Sequence, residues 1–146
     1  MESITGLFNT IFDVHPWHVP TVHFPIALTA VGLLLLLLAL WQRNEALERA
    51  AFYNMTLAAL STLVAGFTGY RDYVVRFEGD APYINAKIFL AISLFVLTTA
   101  ITVARWRQPE VLWRPATMVL YVAGFAASFI LASVLGFLGG IILYGF

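Results

Sequence analysis

The residues best suited to chemistry in this chain are its 3 histidines, which all lie in the segment HPWHVPTVHFP, residues 15–25. Imidazole nitrogens bind haem iron and divalent transition metals, and they exchange protons near neutral pH. The chain contains no cysteine, which excludes disulfides, thiolate chemistry and cysteine-bound iron–sulfur clusters. Three interpretations of His15, His18 and His23 are open: axial ligation of haem b, a surface metal site, or hydrogen bonding to backbone carbonyls and lipid headgroups.

A second ligand for haem is less obvious. A haem held by two histidines needs them on different helices that face each other, but no histidine follows His23. Lys87 is predicted to have the right depth to face His18 or His23, although its amine binds iron only when it is neutral. Its alternative roles are to extend toward the lipid headgroups or to pair with a carboxylate such as Asp72. Haem b is therefore one cofactor that this segment could help to hold, and no metal site is firmly indicated.

A second polar group occurs in the sequence YRDY, where Tyr70, Arg71, Asp72 and Tyr73 follow a long apolar stretch. These side chains are expected on the same side of the membrane as the histidines, and a quinone headgroup could lie against them. The alternative is a local ion pair between Arg71 and Asp72 at the end of a helix. Neither polar group contains a self-sufficient active site, so we do not expect an enzyme.

The composition indicates which elements position these residues. Of the 146 residues, 61% are hydrophobic, and the 8 basic and 8 acidic residues balance, which gives no nucleic-acid-binding surface. The mean hydropathy of +0.86 lies outside the range of soluble domains. A bilayer core needs about 20 apolar residues for one helical span, and long uncharged stretches cover 14–42, 50–70, 88–104 and 115–146. We predict one transmembrane domain over 1–146, an all-α bundle of four membrane-spanning helices at about 22–41, 50–70, 84–104 and 116–138.

The residues before the first span predict two local features. In the segment SITGLFNTIF, residues 3–12, the apolar side chains recur at helical spacing, which predicts a short amphipathic helix lying at the membrane interface. Pro25 is predicted in the first turn of the first span, where its missing N–H costs nothing. Val19 and Phe24 precede prolines and are therefore predicted to be extended, which places His18 in an irregular segment.

The basic residues predict the orientation of the chain. Connections on the cytoplasmic side of a membrane protein carry an excess of lysine and arginine. The first and third connections contain Arg43, Arg49, Arg105, Arg107 and Arg114, whereas the other side contains Arg71, Arg76 and Lys87. We predict a multi-pass protein of the bacterial inner membrane with both termini in the periplasm.

Small residues recur every four positions in the last predicted span. Residues at that spacing form one ridge of a helix, and small ones allow another backbone to approach closely. The stripe consists of Gly124, Ser128, Ala132, Gly136 and Gly140. It predicts a helix–helix contact, either within this chain or with another membrane subunit.

The dipeptide His-Pro followed by VHFPIAL at the start of the first span resembles a family of small bacterial membrane proteins known only as domain-of-unknown-function family 2231. The similarity covers residues 15–105 and includes AGFTGYRD at 65–72. Members often have another histidine near the start of the third span, and some are fused to cytochrome c domains. The resemblance implies a membrane redox role with haem between spans 1 and 3, but here Lys87 stands about where the second histidine is expected.

Together these features favour a small non-catalytic membrane subunit of an electron-transfer complex, respiratory or photosynthetic. Such a subunit would pack on lipids and on other integral membrane subunits of the complex. The first alternative is a haem-b protein that uses His23 with His18 or Lys87. The second is a small transporter or channel, which is disfavoured because no acidic residue lies near the centre of a predicted span.

Overall fold

The computed structural model describes residues 4–6, 10 and 17–144, and over this part of the chain it contains four long helices and no strand. All four helices are long and apolar enough to cross a membrane. They are α1 (His18–Gln42), α2 (Glu45–Arg76), α3 (Ile84–Arg107) and α4 (Pro115–Tyr144). The predicted all-α bundle of four membrane helices is confirmed, and each helix matches one predicted span while extending beyond it at one or both ends.

The predicted interfacial helix over residues 3–12 is only partly covered by the structure. Residues 4–6 are helical, and the hydroxyl of Thr10 donates a hydrogen bond of 2.8 Å to the Gly6 carbonyl. The rest of this segment lies outside the described residues, as does His15. The interfacial helix stays a prediction.

Helix α1 begins at His18, and the prediction that Val19 and Phe24 are extended was wrong. Pro20 is the third residue of the helix, where its missing N–H has no helical partner in any case. Pro25 lies inside the helix and is buried. The early start is stabilised from outside the segment, because the buried carboxylate of Asp72 accepts a hydrogen bond of 3.0 Å from the backbone N–H of His18. The tendency of a residue before proline to be extended was therefore outweighed by this hydrogen bond from α2.

The four helices pack in a ring, each antiparallel to the next. The α1–α2 interface is the most extensive, and α1 also packs on α4, while α3 packs on α2 and α4; the diagonal pairs barely touch. The turn between α1 and α2 explains their close pairing. Arg43 ends α1 in the left-handed conformation with φ of 50°. The side chain of Asn44 then caps α2 by accepting hydrogen bonds from the N–H groups of Ala46 and Leu47.

Small residues bring the helices together in the core. A Cβ atom on Gly32 would lie 3.5 Å from both Asn54 of α2 and Phe125 of α4. On α4, a Cβ on Gly124 would lie 3.0 Å from Ile101 of α3, and one on Gly136 would lie 2.7 Å from Ile26 of α1.

The remaining residues of the α4 stripe differ in their surroundings. Ser128 and Ala132 are buried, whereas a Cβ on Gly140 would meet nothing within 4 Å. The structure therefore places most of the small-residue stripe against helices of the same chain.

The antiparallel ring has two ends. We call the end formed by the start of α1, the end of α2, the start of α3 and the end of α4 the histidine end, because it contains His18. The opposite end contains the buried Glu48 near the start of α2, and we call it the glutamate end.

Candidate polar site at the histidine end

His18 is held in one orientation against α2. Its Nδ1 lies 2.9 Å from the carbonyl oxygen of Ala65. Because a carbonyl oxygen only accepts hydrogen bonds, Nδ1 carries the proton and Nε2 is left for another partner. Histidines that bind metals are oriented in this way, with the second ring nitrogen donating to a carbonyl or carboxylate.

The imidazole of His18 fits because residue 69 is glycine. A Cβ atom on Gly69 would lie 2.9 Å from the Nδ1 and Cε1 atoms of the ring. That distance is shorter than real contacts allow, so any side chain at this position would displace the ring.

Further hydrogen bonds join α1 to α2 around His18. The Asp72 carboxylate is only 4% exposed. Its partners are the N–H of His18 at 3.0 Å and the guanidinium of Arg71 at 3.4 Å. One turn along α1, the hydroxyls of Thr21 and Thr68 are 2.7 Å apart. A buried carboxylate is tolerated only when it is hydrogen-bonded or paired, so Asp72 serves here as a tertiary cap for α1.

Lys87 approaches the same region from α3. Its Nζ atom lies 3.7 Å from the position of a Cβ on Gly139 of α4. The side chain is partly buried. Within the described part of the chain it forms no hydrogen bond or ion pair. The alternative role of pairing with Asp72 is therefore not what the structure shows.

His23 lies on a different side of α1 from His18. It is exposed, and its Nδ1 lies 2.7 Å from the carbonyl oxygen of Val19 in its own helix. With Phe24, Ala27 and Leu28 it lines a shallow open groove on the outer surface of the bundle. The structure thus separates two histidines that are only five residues apart in the sequence. In the described ranges, no group of three His, Asp or Glu residues is placed to hold a metal ion.

The residues of the YRDY segment also point in different directions, since successive helical residues are about 100° apart around the axis. Tyr70 is 68% exposed. The hydroxyl of Tyr73 donates to the carbonyl oxygen of Gly79 in the α2–α3 connection. Only Asp72 turns inward, with Arg71 beside it. The structure does not bring these four side chains together as one surface.

At the glutamate end, a buried ion pair was missed by the sequence analysis. Arg105 of α3 binds Glu48 of α2 through two hydrogen bonds, from Nε to Oε1 and from Nη2 to Oε2, the latter 2.7 Å long. Glu48 is 1% exposed, and the guanidinium carbon of Arg105 lies 5.4 Å from the ring centroid of Phe52. Nearby, the hydroxyl of Tyr121 is buried and has no hydrogen-bond partner among the described residues.

The sequence contains a pattern from which this ion pair could have been predicted, namely the helical spacing of the residues around it. Each charged residue continues a buried stripe of its helix at intervals of three and four residues. The two stripes are Glu48, Ala51, Met55, Ala58 and Thr62 on α2, and Leu94, Thr98, Ile101 and Arg105 on α3.

A family model described as predicted membrane protein, DUF2231, matches residues 14–146. The chain belongs to the DUF2231 family. The match extends the resemblance noted for residues 15–105 through α4, so all four helices of this DUF2231 protein lie within the matched residues. Searches of curated proteins and of solved structures found no match.

Proposed function

We propose that this DUF2231 protein is a small non-catalytic subunit of a membrane electron-transfer complex, respiratory or photosynthetic, and that its histidine end helps to hold a cofactor. The observation that carries the proposal is the orientation of His18. Its imidazole is fixed by the Ala65 carbonyl and by close packing on Gly69, and Nε2 is left for a partner outside the described residues. Such pre-orientation reduces the entropy lost when a ligand binds.

The distribution of basic residues supports an inner-membrane protein with its histidine end in the periplasm. The glutamate end has more lysine and arginine than the histidine end, and these residues bias orientation irrespective of acidic neighbours. They are Arg43, Arg49, Arg105, Arg107 and Arg114 at the glutamate end, and Arg71, Arg76 and Lys87 at the histidine end. With the histidine end in the periplasm, a cofactor held there would be accessible to a redox partner in the periplasm.

The surface of α3 supports contact with lipid or with another subunit. Together with α4, this helix has the smallest buried share among the candidate spans. Large apolar side chains cover its outer face: Ile88, Phe89, Ile92 and Val96. In a bilayer such a face is stable against lipid, and a neighbouring subunit could replace that lipid.

A second candidate is intrinsic binding of haem b, which His18 and Lys87 fit in part. His18 would offer Nε2 from α1, and Lys87 would offer its amine from α3 when neutral. When bound, haem b would supply a one-electron redox centre. His23 does not fit this role because it faces away from the bundle interior.

Gentle solubilisation from the native membrane tests both candidates. We expect the chain to co-purify with integral subunits that contain redox cofactors, and isolation of a fully functional chain without partners would contradict the proposed subunit role. For haem b, the preparation should have a Soret band that is lost in His18→Ala and retained in His23→Ala. A preparation without that band excludes the second candidate only.

A further inference from the structure

We infer that the outer rim of the glutamate end binds the headgroups of anionic phospholipids through Arg43, Arg49 and Arg107. We call these three residues the arginine rim. The rim lies at the opposite end of the bundle from the proposed cofactor site, and its binding to lipid is independent of the electron-transfer role.

The arginine rim is exposed and has no partner among the described residues. Arg43 follows the last residue of α1, Arg49 is the fifth residue of α2, and Arg107 is the last residue of α3. All three side chains are exposed. None of them forms an ion pair or a side-chain hydrogen bond with another described residue. Three guanidinium groups at this end are therefore available to a partner outside the chain.

The other charged residues at this end largely neutralise each other. Arg105 is bound to Glu48, and Arg114 lies 3.2 Å from Glu110. When these two pairs are set aside, Glu45 is the acidic residue that remains beside the arginine rim. The surface that faces outward at the glutamate end is therefore positively charged.

The exposed charges at the histidine end leave no such excess. Arg71 pairs with Asp72, and the exposed Arg76 is matched in number by the exposed acidic residues Glu78 and Asp80. Anionic lipids attract clusters of basic residues beside a membrane helix. An anionic headgroup should therefore prefer the glutamate end to the histidine end.

The depth of the arginine rim is set by exposed aromatic side chains next to it. Arg49 and Tyr53 are four residues apart and share a face of α2, so Arg49 points away from the bundle as Tyr53 does. Tyrosine and tryptophan collect at the membrane interface, and one helical turn moves a residue about 5 Å further out. The arginines thus lie just beyond the aromatic belt, at the level of the lipid phosphates. The pairs are Tyr53 with Arg49, Trp41 with Arg43 and Trp106 with Arg107, and their aromatic side chains are 61%, 81% and 76% exposed.

The chemistry of the rim fits phosphate. A guanidinium group binds phosphate oxygens through two parallel hydrogen bonds. Because the arginines extend from the ends of three different helices, each can contact a separate lipid of the surrounding leaflet. Phosphatidylglycerol keeps the full negative charge of its phosphate, whereas the choline cation of phosphatidylcholine cancels it. We therefore expect the rim to prefer phosphatidylglycerol to phosphatidylcholine.

The test uses the purified full-length chain in bilayer nanodiscs that contain phosphatidylglycerol or phosphatidylcholine with dibrominated acyl chains, which quench tryptophan fluorescence on contact. The Trp17→Phe variant retains Trp41, Trp106 and Trp113, which all lie at the glutamate end. An attraction of about 1 kcal/mol for each arginine near the surface corresponds to about fivefold in binding. We expect a relative binding constant of up to about fivefold in favour of phosphatidylglycerol, and high salt should reduce it.

Trp17 provides the internal comparison. A variant with Trp41, Trp106 and Trp113 replaced by Phe reports on the histidine end through Trp17 alone. Both leaflets of the nanodisc have the same composition, so the two ends of the bundle are compared directly. At the histidine end the two brominated lipids should quench equally.

Substitutions in the Trp17→Phe background then identify the binding groups. The triple variant with Arg43→Gln, Arg49→Gln and Arg107→Gln should lose the preference for phosphatidylglycerol. Arg76→Gln at the histidine end is the matched control and should retain it. Glu45→Gln removes the acidic residue beside the rim and should increase the preference, a gain that a misfolded protein would not produce.

Three results would overturn the proposed lipid surface. The first is equal quenching by the two lipids at the glutamate end, and the second is the same preference for phosphatidylglycerol at Trp17. The third is a triple variant that retains the preference while its helical circular dichroism is unchanged. Equal quenching by the two lipids together with saturable binding of an acidic polypeptide to the arginine rim would assign it to a protein partner instead.

Discussion

The two ends of the bundle bury polar groups in opposite ways. At the glutamate end, Glu48 and Arg105 satisfy each other through two hydrogen bonds and leave little charge for a ligand. At the histidine end, His18 uses one ring nitrogen to bind α2 and leaves the other available, and Lys87 has no partner in the described part of the chain. The closed pair ties α2 to α3, whereas His18 and Lys87 keep hydrogen-bonding groups that no described residue uses.

This difference also follows the packing of the helices. The α1–α2 interface at the histidine end is already extensive, and its hydrogen bonds orient His18 without using all of its capacity. The α2–α3 interface is smaller, and the Glu48–Arg105 pair spans it. Polar groups in a membrane helix that are fully used within the protein stabilise the fold, and those left unused are candidates for function. Four substitutions test this contrast, from the largest expected effect to the smallest.

The largest effect is expected for Glu48→Ala, which leaves the Arg105 guanidinium partly buried without its carboxylate. Breaking a buried ion pair on one side costs about 3 kcal/mol or more. We expect the free energy of unfolding, measured by reversible denaturation in detergent, to fall by that amount. The control is Glu45→Ala in the exposed first turn of α2, which should cost less than about 1 kcal/mol. Equal losses for the two variants would show that the closed pair does not stabilise the glutamate end.

Gly136→Leu should destabilise the contact between α4 and α1. A Cβ at this position lies 2.7 Å from the tip of Ile26, and overpacking of this kind costs about 1–3 kcal/mol. Thermal unfolding in detergent should show the loss. The control is Gly140→Leu, because a Cβ at Gly140 meets nothing within 4 Å. A stable Gly136→Leu protein would mean that α1 and α4 separate without cost.

Gly69→Ala should remove the orientation of His18 with only a modest loss of stability. Alanine gains up to about 1 kcal/mol over glycine inside a helix, but its Cβ would lie 2.9 Å from the imidazole. We expect the free energy of unfolding, measured by reversible denaturation in detergent, to fall by about 1 kcal/mol. Gly66→Ala is the matched control, since its Cβ meets nothing within 4 Å and the helix gain should remain. Equal stability of Gly69→Ala and Gly66→Ala would show that the His18 ring does not depend on the missing side chain at position 69.

The smallest effect is expected for Thr68→Val, which removes the hydroxyl that lies 2.7 Å from Thr21. Hydrogen bonds between membrane helices contribute about 0.6 kcal/mol on average, so the free energy of unfolding should fall by about that amount. Thr56→Val is the comparison, because the Thr56 hydroxyl donates only to the Phe52 carbonyl of its own helix. A loss no larger than that of Thr56→Val would mean that the threonine pair does not join the two helices.

The boundaries of the spans show which features of the helices a local sequence pattern predicts and which it does not. Uncharged stretches located all four helices. The start of α1 was placed too late because the prolines were treated as local signals. The group that stabilises the earlier start, Asp72, lies far along the chain on α2. A cap supplied by another helix has no signature in the segment that it caps.

The candidate site was predicted in its residue types but not in its geometry. His18 and Lys87 were both named as candidates, and both lie at the histidine end of the bundle. His23 was named as the first haem ligand, with His18 or Lys87 as its partner, yet it faces outward and bonds to its own helix. Nothing in the residues next to His23 distinguishes it from His18. The difference arises from the rotation of α1 against α2, which Gly69 and Ala65 determine from the other side of the interface.

The sequence by itself determined that this is a membrane protein with four apolar helices, because a bilayer core selects spans by length and hydropathy alone. It also determined which residues were small enough for close packing on α4. Only the tertiary structure decided that Glu48 pairs with Arg105, that Asp72 caps α1, and that one histidine faces inward. Each of these depends on how a helix is rotated about its own axis. That rotation is set by the shapes of the neighbouring helices, which a pattern within one helix does not contain.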